Sequence, residues 1–140
     1  MTKIFSLKGK VAIITGASRG IGASICSGFH EAGAIVFGVS RSSPTVKEEF
    51  GYYAVDITKK NDLIDLVDEV VRLAGHIDVI VNCAGITLPP ADSNQPIPNI
   101  QKILDTNLLA AHNLTEAVLP TMVKRKRGSI INVTSIGSHL

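Results

Sequence analysis

Paired cysteines, a surplus of charge and long apolar runs are all missing from this sequence, and each absence removes a class of function. Cys26 and Cys83 stand far apart and neither has a C-x-x-C partner, which disfavours a disulfide framework, a redox dithiol and a cysteine-rich metal site. Both read as small buried hydrophobes in a reduced intracellular protein, and a cytoplasmic location is expected. Lysine and arginine number 14 against 12 aspartates and glutamates, a formal charge of +2, too little for the electrostatic footprint of a nucleic-acid binder. No apolar run is long enough to cross a bilayer. Met1 to Leu7 lacks the basic stretch and apolar core of a signal peptide. His30, His76, His112 and His139 show no metal-ligand spacing. Neither nucleic acid, membrane nor metal is therefore expected as a partner. What is present is 45% hydrophobic residues over 140 positions, enough for one compact domain.

The most informative stretch is Thr15-Gly16-Ala17-Ser18-Arg19-Gly20-Ile21-Gly22. Before it, Lys10 to Thr15 has the β-branched composition of a strand buried on both faces. After it, Ile21, Ile25, Phe29 and Ala32 recur at helical spacing, and Gly33 marks a stop. Strand, glycine turn and helix form the context in which glycines bind phosphate. They let the backbone approach a pyrophosphate, and the free N–H groups and dipole of the helix N-terminus favour its charge. The spacing fits neither G-x-G-x-x-G nor a Walker loop, because no Gly-Lys-Ser/Thr follows. A ligand-free tight connection is the other reading of the turn.

Strand and helix patterns then alternate. Gly33 to Arg41 reads as a second strand, Tyr52 to Val55 as a third and Ile77 to Asn82 as a fourth. A helix over Lys59 to Leu73 carries Leu63, Leu66, Val67, Val70 and Val71 on one stripe, with Asp62, Asp65, Asp68 and Glu69 on a solvated face. Ser42 to Phe50 reads as a loop and short helix broken by Pro44, and Ile86 to Pro98 as a loop near the substrate mouth. A long helix is predicted from Asn99 to Lys124, with Ile100, Ile103, Leu104, Leu108, Ala111, Leu114 and Val118 in period and Pro120 weakening its last turns. Gly128 to Ser135 completes the set as a buried β-branched fifth strand, left as an edge or half covered. Lys124 to Arg127 could be read as a nuclear-localisation or nucleic-acid patch, but cations at a helix C-terminus are preferred. Alternation of this kind predicts an α/β fold, a three-layer, Rossmann-like, doubly wound parallel sheet, incomplete at its C-terminal side.

In dinucleotide folds the end of the second strand faces the adenosine ribose. A carboxylate there would bond the ribose hydroxyls of NAD and repel the extra phosphate of NADP. Ser40 and Arg41 occupy that place instead, and Arg19 lies in the glycine turn. Two guanidinium groups with no acid favour NADP(H) over NAD(H).

The pattern T-G-x-x-x-G-x-G of Thr15 to Gly22 resembles the classical short-chain dehydrogenase/reductase family. So does Asn82-Cys83-Ala84-Gly85, which matches N-x-A-G with Cys83 in place of the family's second asparagine. Asp105-Thr106-Asn107 looks like the family's D-x-N motif, and Ile130 to Ser135 its I-x-N-x-S/T-S. The resemblance covers nearly the whole chain, in the family's order. It implies hydride transfer between a nicotinamide cofactor and an alcohol or carbonyl, general acid–base chemistry around a cofactor that does the redox work. By the same resemblance Thr15, Gly16, Ser18, Arg19, Gly20, Ile21, Gly22, Ser40, Arg41, Asp56, Ile57, Asn82, Ala84 and Gly85 surround the cofactor, with Asp56 at the adenine. Asp56 also suits a plain turn cap. Ser135 would bond the substrate oxygen, and Asn107 would order a water in a proton relay, solvated polarity being the other reading of Asn107.

The family's Tyr-x-x-x-Lys pair does not occur in these 140 residues, since no lysine follows Tyr52 or Tyr53 at that spacing. The segment is expected to be the cofactor-binding, N-terminal part, residues 1–140, of one domain. Two classes stay open, an NADP-dependent oxidoreductase and a non-catalytic dinucleotide-binding or interaction protein. No turnover is expected of the 140 residues alone; steady NADPH oxidation by the pure chain with a screened carbonyl compound would count against this. The resemblance also implies a homo-oligomer of the complete fold, through the Asn99–Lys124 helix and the helix that follows the serine strand in the family.

Overall fold

The computed structural model describes residues 5–42, 50–87, 94 and 99–135. Five parallel strands form one sheet in the order β3-β2-β1-β4-β5. They are β1 Val11–Thr15, β2 Ile35–Ser40, β3 Gly51–Ala54, β4 Val79–Asn82 and β5 Ser129–Asn132. Helices are α1 Gly20–Glu31, α2 Lys60–Ala74, α3 Ile100–Leu104 and α4 Ala110–Arg125, with a π-helical stretch Asp105–Leu109 joining α3 to α4. The expectation of a doubly wound, Rossmann-like sheet holds.

Strand pleating divides the core in two. Val11, Ile13, Phe37, Val39 and Ile80 face α2 and α4 and pack with Leu63, Val70, Leu114 and Val118. Ala12, Ile14, Val36 and Val81 face the other way and pack with Cys26, Ile25 and Phe29 of α1. Two apolar faces explain why the inner strands read as continuous β-branched runs. Each fully buried isoleucine or leucine here, Ile13, Ile14, Leu63, Ile80 and Leu114 among them, contributes about 1.5–3 kcal/mol.

Several local expectations are corrected. In α1 the buried positions are Gly22 and Cys26, while Ile21 is 64% exposed because it lies at the mouth of a cavity rather than over the sheet. The long helix is interrupted by the π-helical stretch, which puts an extra residue into a turn and shifts the helical phase. Burial therefore falls on Ala110, Leu114, Val118 and Met122, and Ile100, Leu104 and Leu108 are exposed. Pro120 sits on the exposed side and α4 continues past it to Arg125. Among the described residues β5 pairs only with β4, the edge position expected of it, and its four residues are exposed where a buried strand was read from their composition. The reading of Ser42 to Phe50 falls mostly outside the described residues, as do most of Ile86 to Pro98 and His139. No helix among the described residues is long and apolar enough to cross a membrane.

At the N-terminal edge of the sheet Asp78 is buried just before β4. Its carboxylate accepts from the Val11 amide at 3.0 Å, lies 3.0 Å from His76 Nε2, and meets Arg125 Nη1 at 3.3 Å and Arg127 Nε at 3.6 Å. Two cations of the Lys124–Arg127 run are thus held at the end of α4 by an internal acid.

Candidate functional site

At the opposite edge, the strand order reverses between β1 and β4, the place where open α/β sheets bind ligands beyond the carboxyl ends of their strands. Thr15 ties these two strands together. Its hydroxyl oxygen accepts from the amides of Cys83 and Ala84, both at 3.1 Å, and donates to the Val81 carbonyl at 3.4 Å. The glycine turn is thereby pulled against the chain leaving β4. A Cβ on Gly16, whose φ is +74°, would lie 2.9 Å from Ala84 Cα. A Cβ on Gly22 would lie 2.2 Å from the Gly16 carbonyl oxygen. Only glycine permits this closeness at either position.

The turn opens onto a cavity of about 670 Å³. Of the residues expected around the cofactor, all but Thr15 and Asn82 line it. Those two brace it from behind: Asn82 Nδ2 donates to Asn132 Oδ1 at 2.9 Å, joining the ends of β4 and β5. At the rim, α1 begins without a side-chain cap and with no acidic residue in its first turn. Amides at a helix start that no side chain satisfies are suited to an anion. The cavity and its cradle thus fit the pyrophosphate of a dinucleotide.

Ser40, Arg41 and Ser42 form one wall, with Asp56, Ile57 and Thr58 beside them. Asp56 does cap its turn, accepting from the Thr58 hydroxyl at 2.8 Å and the Thr58 amide at 3.1 Å, and it lines the cavity as well. These hydrogen bonds, aided by the positive charges of Lys59 and Arg41, hold its carboxyl below the usual carboxylate range. The ionised form therefore favours the fold above that usual range, and the contribution is lost as pH falls through the lowered value. Burial pushes the Cys83 thiol up, so it is not a poised nucleophile.

Asn107 and Ser135 do not line the cavity. Asn107 lies in the π-helical stretch, and its carboxamide clamps the backbone of Ile86: Oδ1 accepts from the Ile86 amide and Nδ2 donates to its carbonyl, both at 2.8 Å. Ser135 is exposed beyond β5. Sequence reasoning did not single out Ser42, Val55, Thr58, Ile86, Thr106 or Val133, which also line the cavity. Thr58 had a signal, the Asp-x-Thr spacing of an Asx turn; Val133 is brought there only by the pairing of β5 with β4. Among the described residues no group of three or more His, Cys, Asp or Glu could hold a metal ion.

Comparison with known proteins agrees with the fold. Residues 10–140 match the family described as short chain dehydrogenase. A short chain dehydrogenase of Pseudocercospora fijiensis is 38% identical over 142 aligned positions, covering 93% of this chain and 46% of that protein. The 3-oxoacyl-(acyl-carrier-protein) reductase FabG of Thermotoga maritima is 35% identical, covering 93% of this chain and 57% of its own length. Among solved structures, the ligand-free aldohexose dehydrogenase of Thermoplasma acidophilum superposes with a TM-score of 0.82 at 29% identity, over 91% of this chain and 50% of that one. The chain spans about half the length of the relatives it matches.

Proposed function

The chain belongs to the short chain dehydrogenase family, and from that premise we propose that it holds the dinucleotide of an oxidoreductase that moves a hydride between NADP(H) and a small alcohol or carbonyl compound. The observation that carries this reading is the cradle of Gly16 and Gly22 at the uncapped start of α1, opening on a cavity of about 670 Å³ that Arg41, Asp56 and Gly85 also line. What the dinucleotide supplies when bound is the hydride or its acceptor. The amides at the start of α1 hold its pyrophosphate. Asp56 and Ile57 border the adenine, while Ala84 and Gly85 leave room for the nicotinamide end. Ser135 hydrogen-bonds the substrate oxygen. Asn107 orders a water, for which its carboxamide keeps one donor and one lone pair beyond those given to Ile86. Expected reduced thiols at Cys26 and Cys83 support a cytoplasmic setting. Exposed Ile100, Leu104, Leu108, Leu119 and Val123 support self-association through α3 and α4.

Preference for NADP(H) rests on Arg19 and Arg41, both on the cavity wall, with no carboxylate at the end of β2. Isothermal titration of the chain should show NADPH binding more tightly than NADH. Arg41→Asp should cut that ratio by about ten- to a hundredfold, as expected for losing charge-assisted hydrogen bonds. Equal affinities in the unmodified chain would remove the preference.

A further inference from the structure

We propose that Arg125 and Arg127, both held by the buried Asp78, form a second anion site that takes a phosphate-class oxyanion at the edge of the sheet remote from the dinucleotide cavity. Asp78 stands just before β4 and Asn82 ends it, which separates the two edges by about 13 Å along the strand. The site stands on contacts between α4 and this edge and is independent of which dinucleotide the cavity prefers.

One carboxylate is too little for the cations gathered around it. Asp78 is 4% exposed, and its Oδ2 is taken by the Val11 amide and His76 Nε2, both at 3.0 Å. Its Oδ1 is shared by Arg125 Nη1 at 3.3 Å and Arg127 Nε at 3.6 Å. A charge-assisted hydrogen bond of full strength is about 2.7–2.9 Å long, so the shared oxygen holds both guanidinium groups and satisfies neither. Arg125 adds only a long contact with the Ile77 carbonyl, at 3.4 Å. The other N–H groups of the two arginines find no partner among the described residues. Lys124 and Lys126 form no ion pair there either. The C-terminal dipole of α4 offsets only about half a charge, so the edge stays positive.

The turn after α4 brings the second arginine into place. Lys126 ends the helix in the left-handed region, with φ 51°, where glycine is the usual residue. Its amide donates to the Val123 carbonyl at 3.0 Å, and the Arg127 amide donates to the Met122 carbonyl at 3.1 Å. These bonds fold the chain back on the helix end, and the Arg127 side chain returns to the carboxylate that Arg125 also reaches. Both side chains have thus already given up rotamer freedom that binding an anion would otherwise cost. At 31% and 56% exposure they still present N–H groups to solvent. Guanidinium forks match the oxygens of a phosphate group, and a phosphomonoester brings three acceptor oxygens and up to about two negative charges.

Amide NMR of the chain, titrated with inorganic phosphate at constant ionic strength, should show saturable shifts at His76, Asp78 and Arg125 to Arg127. Phosphate entering the glycine cradle shifts Gly20 to Gly22 instead, so one spectrum separates the two sites. Arg127→Ala should weaken binding at the Asp78 edge at least about tenfold and leave the cradle within about twofold. Arg41→Asp, on the cavity wall, should leave the Asp78 edge within about twofold. Lys126→Gly suits the left-handed turn and removes one exposed charge, so affinity should fall less than about threefold. No saturable shift at this edge, or unchanged affinity in Arg127→Ala, would overturn the site. A loss in Lys126→Gly as large as in Arg127→Ala would overturn it too, since diffuse positive charge would then suffice. Glycerol 3-phosphate and vesicles containing phosphatidic acid present the same group. Binding of the first alone assigns the site to a free phosphomonoester, and retention on the vesicles to a lipid headgroup.

Discussion

Truncation of Asp78 to alanine is expected to lower the stability of the fold by about 2–4 kcal/mol. The carboxylate is only 4% exposed and links three parts of the chain: the start of β1, the approach to β4 and the end of α4. Without it the Val11 amide, on a strand buried throughout, loses its acceptor, and an unsatisfied buried donor costs about 1–3 kcal/mol. The guanidinium groups add less than the full cost of a broken buried pair. Arg125 and Arg127 are 31% and 56% exposed and can turn to water. Asp78→Asn retains an acceptor for Val11 and should cost less than Asp78→Ala. Arg127→Ala, removing the more exposed partner, should cost under about 1 kcal/mol. Urea unfolding midpoints would rank the three variants. A midpoint for Asp78→Ala equal to that of the unmodified chain would show that the carboxylate contributes nothing net.

Gly22→Ala is expected to carry the largest effect on ligand binding. The added methyl group would meet the Gly16 carbonyl oxygen at 2.2 Å and the Ala17 amide nitrogen at 3.3 Å. These are backbone atoms, so neither can step aside as a flexible side chain would. The turn must open, and with it the cradle at the start of α1. Overpacking of this kind costs about 1–3 kcal/mol in stability, and the displaced amides should weaken dinucleotide binding at least about tenfold. Gly28→Ala serves as the companion variant. Gly28 is on the same helix, and a methyl group there meets nothing within 4 Å. It should raise stability by about 0.5–1 kcal/mol, the usual gain of alanine over glycine within a helix, and leave binding unchanged. Binding by Gly22→Ala within twofold of the unmodified chain would mean that the turn does not hold the phosphates.

Much of the fold was legible because its signals are local. Thr15 to Gly22, with an apolar strand before it and a helical period after it, announces its conformation within a few residues. The stripe of Leu63, Leu66, Val67 and Val70 does the same for α2, as does Gly75, left-handed at the helix end. Legibility failed where a local period met a non-local event. In α4 the expected Leu114 and Val118 are buried, but across the π-helical stretch the face takes in Ala110 and Met122 in place of the expected Leu108 and Ala111.

Within the candidate site the same division holds. The glycines, the arginines and Asp56 are recognisable from their neighbours, because turn conformation and charge are properties of short segments. The sequence by itself determined the alternation of strands and helices, the tight glycine turn between β1 and α1 and the lack of an acid at the end of β2. Tertiary structure alone decided that the Thr15 hydroxyl meets the Ala84 amide 69 positions away, that Asn82 pairs with Asn132 and that Asp78 gathers Arg125 and Arg127. Those contacts follow from strand order and register. Both are set by which apolar faces can be buried together across the whole sheet, a choice that no short stretch of sequence makes on its own.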